Sequence, residues 1–205
     1  MDQVHDILDS LTKPCFRDAL NAYKFLPGSY GSMSEMGKIL NLSFGLSNKW
    51  NIVFKDTTVV KDSNGALLEA SAEARYHPSD NKVIDVVVTL SKTELANASR
   101  EYVAATLLHE VMHAYFRRIN GSVGQDHEKM AKDYITLMAK ALVSGFGITP
   151  EDATALAWGG LNEDAQGVAI TSAWTTFKNA HLSDAETIQT TNTKYKTGKK
   201  GQKCP

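Results

Sequence analysis

The residues with the clearest chemical potential are consecutive: His109-Glu110-Val111-Met112-His113. Two histidines four apart share one face of a helix about one turn apart, so both imidazoles can reach a single metal ion. Glu110 lies about 100° round the helix from His109 and about 60° from His113, which sets its carboxylate beside such an ion without ligating it. A zinc ion held this way lowers the pKa of a bound water from about 15.7 to about 7 and polarises a carbonyl, and a neighbouring carboxylate can take the water's proton. In a chain with 6 His, a random order would contain such a pattern with a probability on the order of one in a hundred. Its position inside an apolar-flanked helix raises its weight. A site of this kind needs a third protein ligand and an open fourth position. His127, 14 residues after His113 and at the start of the next helix, is the leading candidate. Glu128 and Asp133 on the same helix are the carboxylate alternatives.

Other residues have weaker claims. A developing oxyanion wants a Tyr, His or Arg donor opposite the metal. Tyr76, His77 and Tyr115 are candidates, although Tyr115 and Tyr134 also share apolar helix faces, which reads as core. Asp85, Asp126 and Asp133 could each orient a ligating imidazole, or cap a helix. Cys15 and Cys204 read as a buried thiol and a tail thiol, with a disulfide stapling the termini as the alternative.

These residues need elements to position them. Val4, Ile7, Leu8 and Leu11 have helical spacing, continued by Phe16, Ala19, Leu20 and Tyr23 beyond a Pro14 restart. A loop follows at Leu26 to Ser32. Residues 51–60, 66–76 and 83–90 alternate or are rich in β-branched residues. Asn64-Gly65 gives a hairpin signal between the first two, and Pro78 to Asn81 a turn before the third. These segments predict a three-stranded meander. From Thr93 the period becomes helical up to about Ile119, with Leu107, Leu108, Val111, Met112 and Tyr115 on the apolar flank. A turn at Asn120 to Gly124 precedes a helix from about residue 127 to a stop at Gly145. Thr149-Pro150 starts another helix, and Ser183 with Glu186 fits a capping box for a last short one. The expected fold class is α+β, with a small meander packed on the His109–His113 helix and further helices beyond it.

The segment HEVMHAYFRRINGSVGQDHEKM, residues 109–130, resembles the metal-binding core of the SprT-like metallopeptidases, which include the Spartan proteases. In that family the motif is often followed by Ala-Tyr, a variable loop, and a third His at the next helix. The resemblance covers residues 83–145, and elsewhere only the order of elements. It implies a minimal zincin: one Zn2+ on His109, His113 and His127, Glu110 as general base, and metalloendopeptidase activity on a protein or peptide. It also implies that the strand ahead of the active helix, residues 83–90, is a sheet edge that binds extended substrate by β-addition. Outside the resemblance, the Trp158-Gly159-Gly160-Leu161 segment and the helical stretch after it suggest an elaborated lid or substrate wall. The chain is also similar to SprT-like domains at the ends of secreted or injected bacterial toxins, for which a small cognate inhibitor protein is an expected partner. A non-catalytic, zinc-stabilised interaction module is the contrasting reading.

Composition narrows the classes. The 205 residues, 42% hydrophobic and 22% charged, suit a globular chain and neither disorder nor a coiled coil. No apolar run approaches the ~18 residues of a membrane span, and Met1 to His5 lacks the layout of a signal peptide. The expectation is a soluble protein, cytoplasmic or delivered by another route. Two cysteines cannot build the zinc ribbon that bacterial SprT-type proteins carry. The net charge of −1 divides unevenly: residues 194 to 203 hold five lysines, leaving 17 basic against 23 acidic residues over 1–193. An acidic body argues against nucleic acid as substrate, except through the basic tail. The expected organisation is one metallopeptidase domain over 1–193 and a flexible tail over 194–205.

Overall fold

Alternating inward residues build one mixed sheet, and a long helix lies across it. The computed structural model describes residues 7–22, 51–76, 83–120, 126–164 and 167–204. The Leu26–Ser32 loop, His77, the Pro78–Asn81 turn and residues 121–125 lie outside them. The strands are β1 (Ile7–Ser10), β2 (Asn51–Thr57), β3 (Val60–Lys61), β4 (Leu67–Leu68), β5 (Ala70–Tyr76) and β6 (Val83–Ser91). The helices are α1 (Pro14–Asn21), α2 (Arg100–Asn120) and α3 (Asp126–Lys129), the last running through a π-helical turn (Met130–Tyr134) into α4 (Ile135–Phe146). Then come α5 (Pro150–Ala157), α6 (Ser172–Ala180) and α7 (Leu182–Lys196).

The class is α+β, but the sheet is not a three-stranded meander. Its four strands are ordered β1-β2-β6-β5, with β1, β2 and β6 parallel and only β5 antiparallel to its neighbour. The hairpin turn at Asn64-Gly65 joins the two-residue arms β3 and β4 in a separate ribbon, so β2 and β5 never pair. β6 enters between them. Residues 83–90 therefore form a central strand, and the edge beside α2 belongs to β5. Residues 7–10, expected as helix, form the other edge, because an apolar i, i+1, i+4 pattern over so short a stretch also fits a half-buried strand.

Ile52, Phe54, Val86, Val88 and Leu90 point to one face and share a core cluster with Val103, Leu107 and Val111 of α2. Each such buried side chain contributes roughly 1.5–3 kcal/mol relative to exposure. α2 begins later than Thr93 predicts: Ser99 is its cap, accepting from the Tyr102 N–H at 3.1 Å, while residues 92–97 form turns. α4 runs past Gly145 to Gly147, whose φ of +63° ends the helix in the left-handed region that glycine enters freely. Thr149 caps α5 as expected. α7 has no side-chain cap at its start and is longer than the short helix expected.

The C-terminal segment is packed against the body. Lys196 pairs with Glu69 at 2.6 Å and Lys200 with Asp152 at 2.6 Å. Beyond α7, Arg100 donates its N–H to the Gln202 carbonyl and Cys204 its N–H to the Ala98 carbonyl. Cys204 is joined to Cys15 of α1 by a disulfide, with Cα atoms 5.5 Å apart. The free-thiol and mobile-tail expectations are thus both replaced, because charge composition says nothing of the acidic partners that wait on the body. No helix among the described residues is long and apolar enough to cross a membrane.

Candidate metal centre

α2 buries one flank in the core and turns His109 and His113 toward a cavity of about 960 Å³. α3 begins at Asp126 and delivers His127 to the same cavity. The three Nε2 atoms form a near-equilateral triangle: 3.1 Å from His113 to His109, 3.1 Å from His113 to His127, and 3.2 Å from His109 to His127. Three imidazole nitrogens cannot all satisfy one another, since each offers one proton or one lone pair. A shared cation resolves the conflict. Tetrahedral bonds of ~2.05 Å would place ligand nitrogens ~3.3 Å apart, close to what is found. The three histidines therefore lie close enough to bind a metal ion.

The surroundings favour lone pairs directed inward. Asp126 Oδ2 lies 3.1 Å from His113 Nδ1, so Nδ1–H donates to the carboxylate and Nε2 is left as acceptor. Of the three acids that could orient an imidazole, Asp126 alone does so. Asp85 is held by the guanidinium of Arg75 on the sheet, and Asp133 is exposed. Burial pushes the His109 pKa well below its ordinary value, with the charges of His113 and His127 adding to the effect. Burial takes His113 to about 4 against the opposing Asp126 bond, and it lowers His127 as well. All three are neutral bases near pH 7. His109 Nδ1 is buried without a hydrogen-bond partner among the described residues.

Glu128 is excluded as a ligand by its own contacts. It accepts from the Ser172 N–H at 2.8 Å and pairs with Lys132 at 3.0 Å. The Ser172 hydroxyl is the main cause of its carboxyl being held at about 2. It anchors the start of α6 instead. His127→Ala should therefore reduce bound divalent metal after dialysis from near one ion per chain to well below half, whereas Glu128→Ala keeps it. Metal analysis of the two purified variants checks this, and the reverse order would reassign the ligand.

Glu110 is buried and lines the same cavity as the three imidazoles. Burial pushes its carboxyl up to about 8, while the charge of Arg117 pulls it back and that of Glu69 adds to the rise. A cation on the imidazoles would draw it further toward the ionised form. Of the candidate oxyanion donors, Tyr76 and Tyr115 do not join this group. Tyr76 is 53% exposed at the far end of β5, and Tyr115 packs beside Tyr134 with ring centroids 6.4 Å apart. Neither lines the cavity.

No family model, curated protein or solved structure matches this chain.

Its site stands on geometry alone, and that geometry gives a place to the segment expected as a lid or substrate wall. The turn after α5 carries Gly159 and Gly160 into the cavity wall, over a cluster in which the Trp158 and Trp174 ring centroids are 5.1 Å apart. Gly160 has φ +74°, and a Cβ there would come within 3.0 Å of His109 Cε1. It is glycine both for its backbone and for its closeness to the ring. Gly160→Ala should push His109 off its position and weaken metal affinity about tenfold or more, the range seen when support of a ligand is disturbed. A competitive chelator titration would measure the change, and unaltered affinity would mean that the turn yields without cost. Across the cavity, Glu69 accepts from the Tyr102 hydroxyl at 2.9 Å and from Lys196 at 2.6 Å, tying the β5 side to α7.

Proposed function

We propose that the chain is a zinc-dependent metalloendopeptidase of the zincin type, related in design to the SprT-like core that residues 109–130 resemble. The observation that carries this reading is the buried Glu110 carboxylate in the same cavity as three converging imidazole nitrogens. A metal-stabilised interaction module has no use for that carboxylate, whereas hydrolysis needs it. Bound zinc would supply Lewis acidity, polarising a peptide carbonyl and acidifying a water. Glu110 then accepts the water's proton on its carboxylate and returns it to the leaving amine. His109, His113 and His127 hold the ion, and Asp126 keeps His113 in the tautomer that binds. Extended substrate would add to the outer edge of β5, in place of the central β6. The test is cleavage of casein or a mixed peptide library by the zinc-loaded protein with and without a chelator. Absence of chelator-sensitive cleavage would leave the interaction-module reading in its place.

The disulfide favours the delivered form of this reading over a cytoplasmic one, because such bonds persist mainly in oxidising compartments. A toxin or effector role, with a cognate inhibitor protein, follows as the corresponding biological proposal.

A further inference from the structure

Arg117 stands one turn beyond His113 on α2 and lines the same cavity as the three histidines. Its reach to the sheet is set by small residues. Ser91 donates its N–H to the Glu69 carbonyl at 2.8 Å, so residues 69, 71 and 73 direct their backbone groups to β6. Ala70, Ala72 and Ala74, alternating with them, direct theirs to the open edge. Ala70 and Ala72 are buried, and having no bulk they let α2 lie close to this edge. Arg117 Nη1 donates to the Ala72 carbonyl. Its Nε is buried with no partner, and among the described residues no carboxylate forms an ion pair with the guanidinium.

Glu110 feels the Arg117 charge without an ion pair between them, and three further acids of the cavity are engaged elsewhere. Glu69 is held by Lys196 and Tyr102. Glu163 is held by Lys178, Trp174 and Gln189, and Asp62 by the backbone of its own turn. What remains is a part-buried cation that lines the cleft and, among the described residues, holds no ion pair there. A guanidinium presents five N–H groups in a planar fork that matches a carboxylate, and its charge is costly to leave unpaired away from water. With the Ala72 carbonyl already occupied, that rung of the sheet edge does not call for an N–H from an added strand. It suits a chain end or an acidic side chain.

Resting on the peptidase reading, we propose that Arg117 is a specificity-determining residue that receives a carboxylate of the bound peptide beside the metal-binding histidines. The carboxylate is either the chain terminus or an Asp or Glu side chain. Both present the same planar anion to the fork.

The test uses the zinc-loaded Glu110→Gln protein, which binds without turnover, and peptides labelled at the N-terminus with a fluorophore. One pair has the same sequence as free acid and as C-terminal amide; a second, amidated pair differs by one internal Asp or Asn. Fluorescence anisotropy should give at least tenfold tighter binding for the carboxylate member of one pair, and the pair that discriminates identifies the source. Adding Arg117→Ala should collapse that ratio toward one at unchanged zinc content, and Arg117→Lys, a charge without a fork, should leave an intermediate ratio. Equal binding within both pairs while Arg117 is intact would overturn the inference and leave the peptidase reading standing if casein is still cut. A ratio that survives Arg117→Ala would overturn the assignment to this residue. If no peptide binds and none is cleaved, both readings fall.

Discussion

Glu110→Gln is expected to leave the metal bound and to lower peptide cleavage by about a thousandfold or more. The amide keeps the shape of the carboxylate, so the cavity and the three imidazoles that share it are undisturbed. What it loses is the ability to take a proton, and general base catalysis of this kind contributes roughly 10²–10⁴-fold. Two of the other acids that line the cavity are tied up in ion pairs, Glu69 with Lys196 and Glu163 with Lys178. The decisive comparison is kcat/KM on one peptide beside the zinc content of both proteins. Retained turnover at full zinc content would remove Glu110 from the mechanism. Loss of both activity and zinc would mean that the carboxylate supports the metal site itself, and its role would have to be redrawn.

Much of the site was legible because it is local. His109, Glu110 and His113 fall within one turn of helix, and helix geometry alone brings the two rings together. His127 required only that the chain turn back after α2. Asp126 is adjacent to His127, yet its role depends on which imidazole it meets, and spacing is silent on that. The sheet was legible strand by strand but not in its order. Period-two alternation marks β2, β5 and β6 as strands without saying which pair, and the Asn64-Gly65 signal was satisfied by β3 and β4 instead. That one difference moves the sheet edge from β6 to β5 and brings Arg117 to the Ala72 carbonyl. The closeness of Gly160 to His109 was hidden for a similar reason, because the two are remote in sequence and near only in space. Charge composition misled at the C-terminus, where Lys196 and Lys200 find Glu69 and Asp152 across the fold.

Removing the disulfide, by Cys15→Ser with Cys204→Ser or by reduction, is expected to be the largest single loss of stability. The bridge spans a sequence separation of 189. In the chain-entropy model, freeing a loop of that length costs about 5 kcal/mol, an upper figure, since native disulfides typically contribute roughly 2–4 kcal/mol. Against a total of roughly 5–15 kcal/mol for a folded chain, either value is a large share. At about 2–4 °C per kcal/mol for a chain of this size, the melting temperature should fall by around 10 °C. The loss should begin at the seam where Cys204 lies against the start of α2. The Cys204 N–H on the Ala98 carbonyl and the Gln202 carbonyl on the Arg100 N–H are the contacts the bridge holds in register there. Amide exchange should therefore rise first at residues 98–101 and 202–204, ahead of the His109–His113 turn further along the same helix. Thermal melts of the oxidised, reduced and double-Ser proteins decide the matter. If all three melt together, the bridge is incidental to the fold, and the preference for an oxidising compartment loses its physical basis.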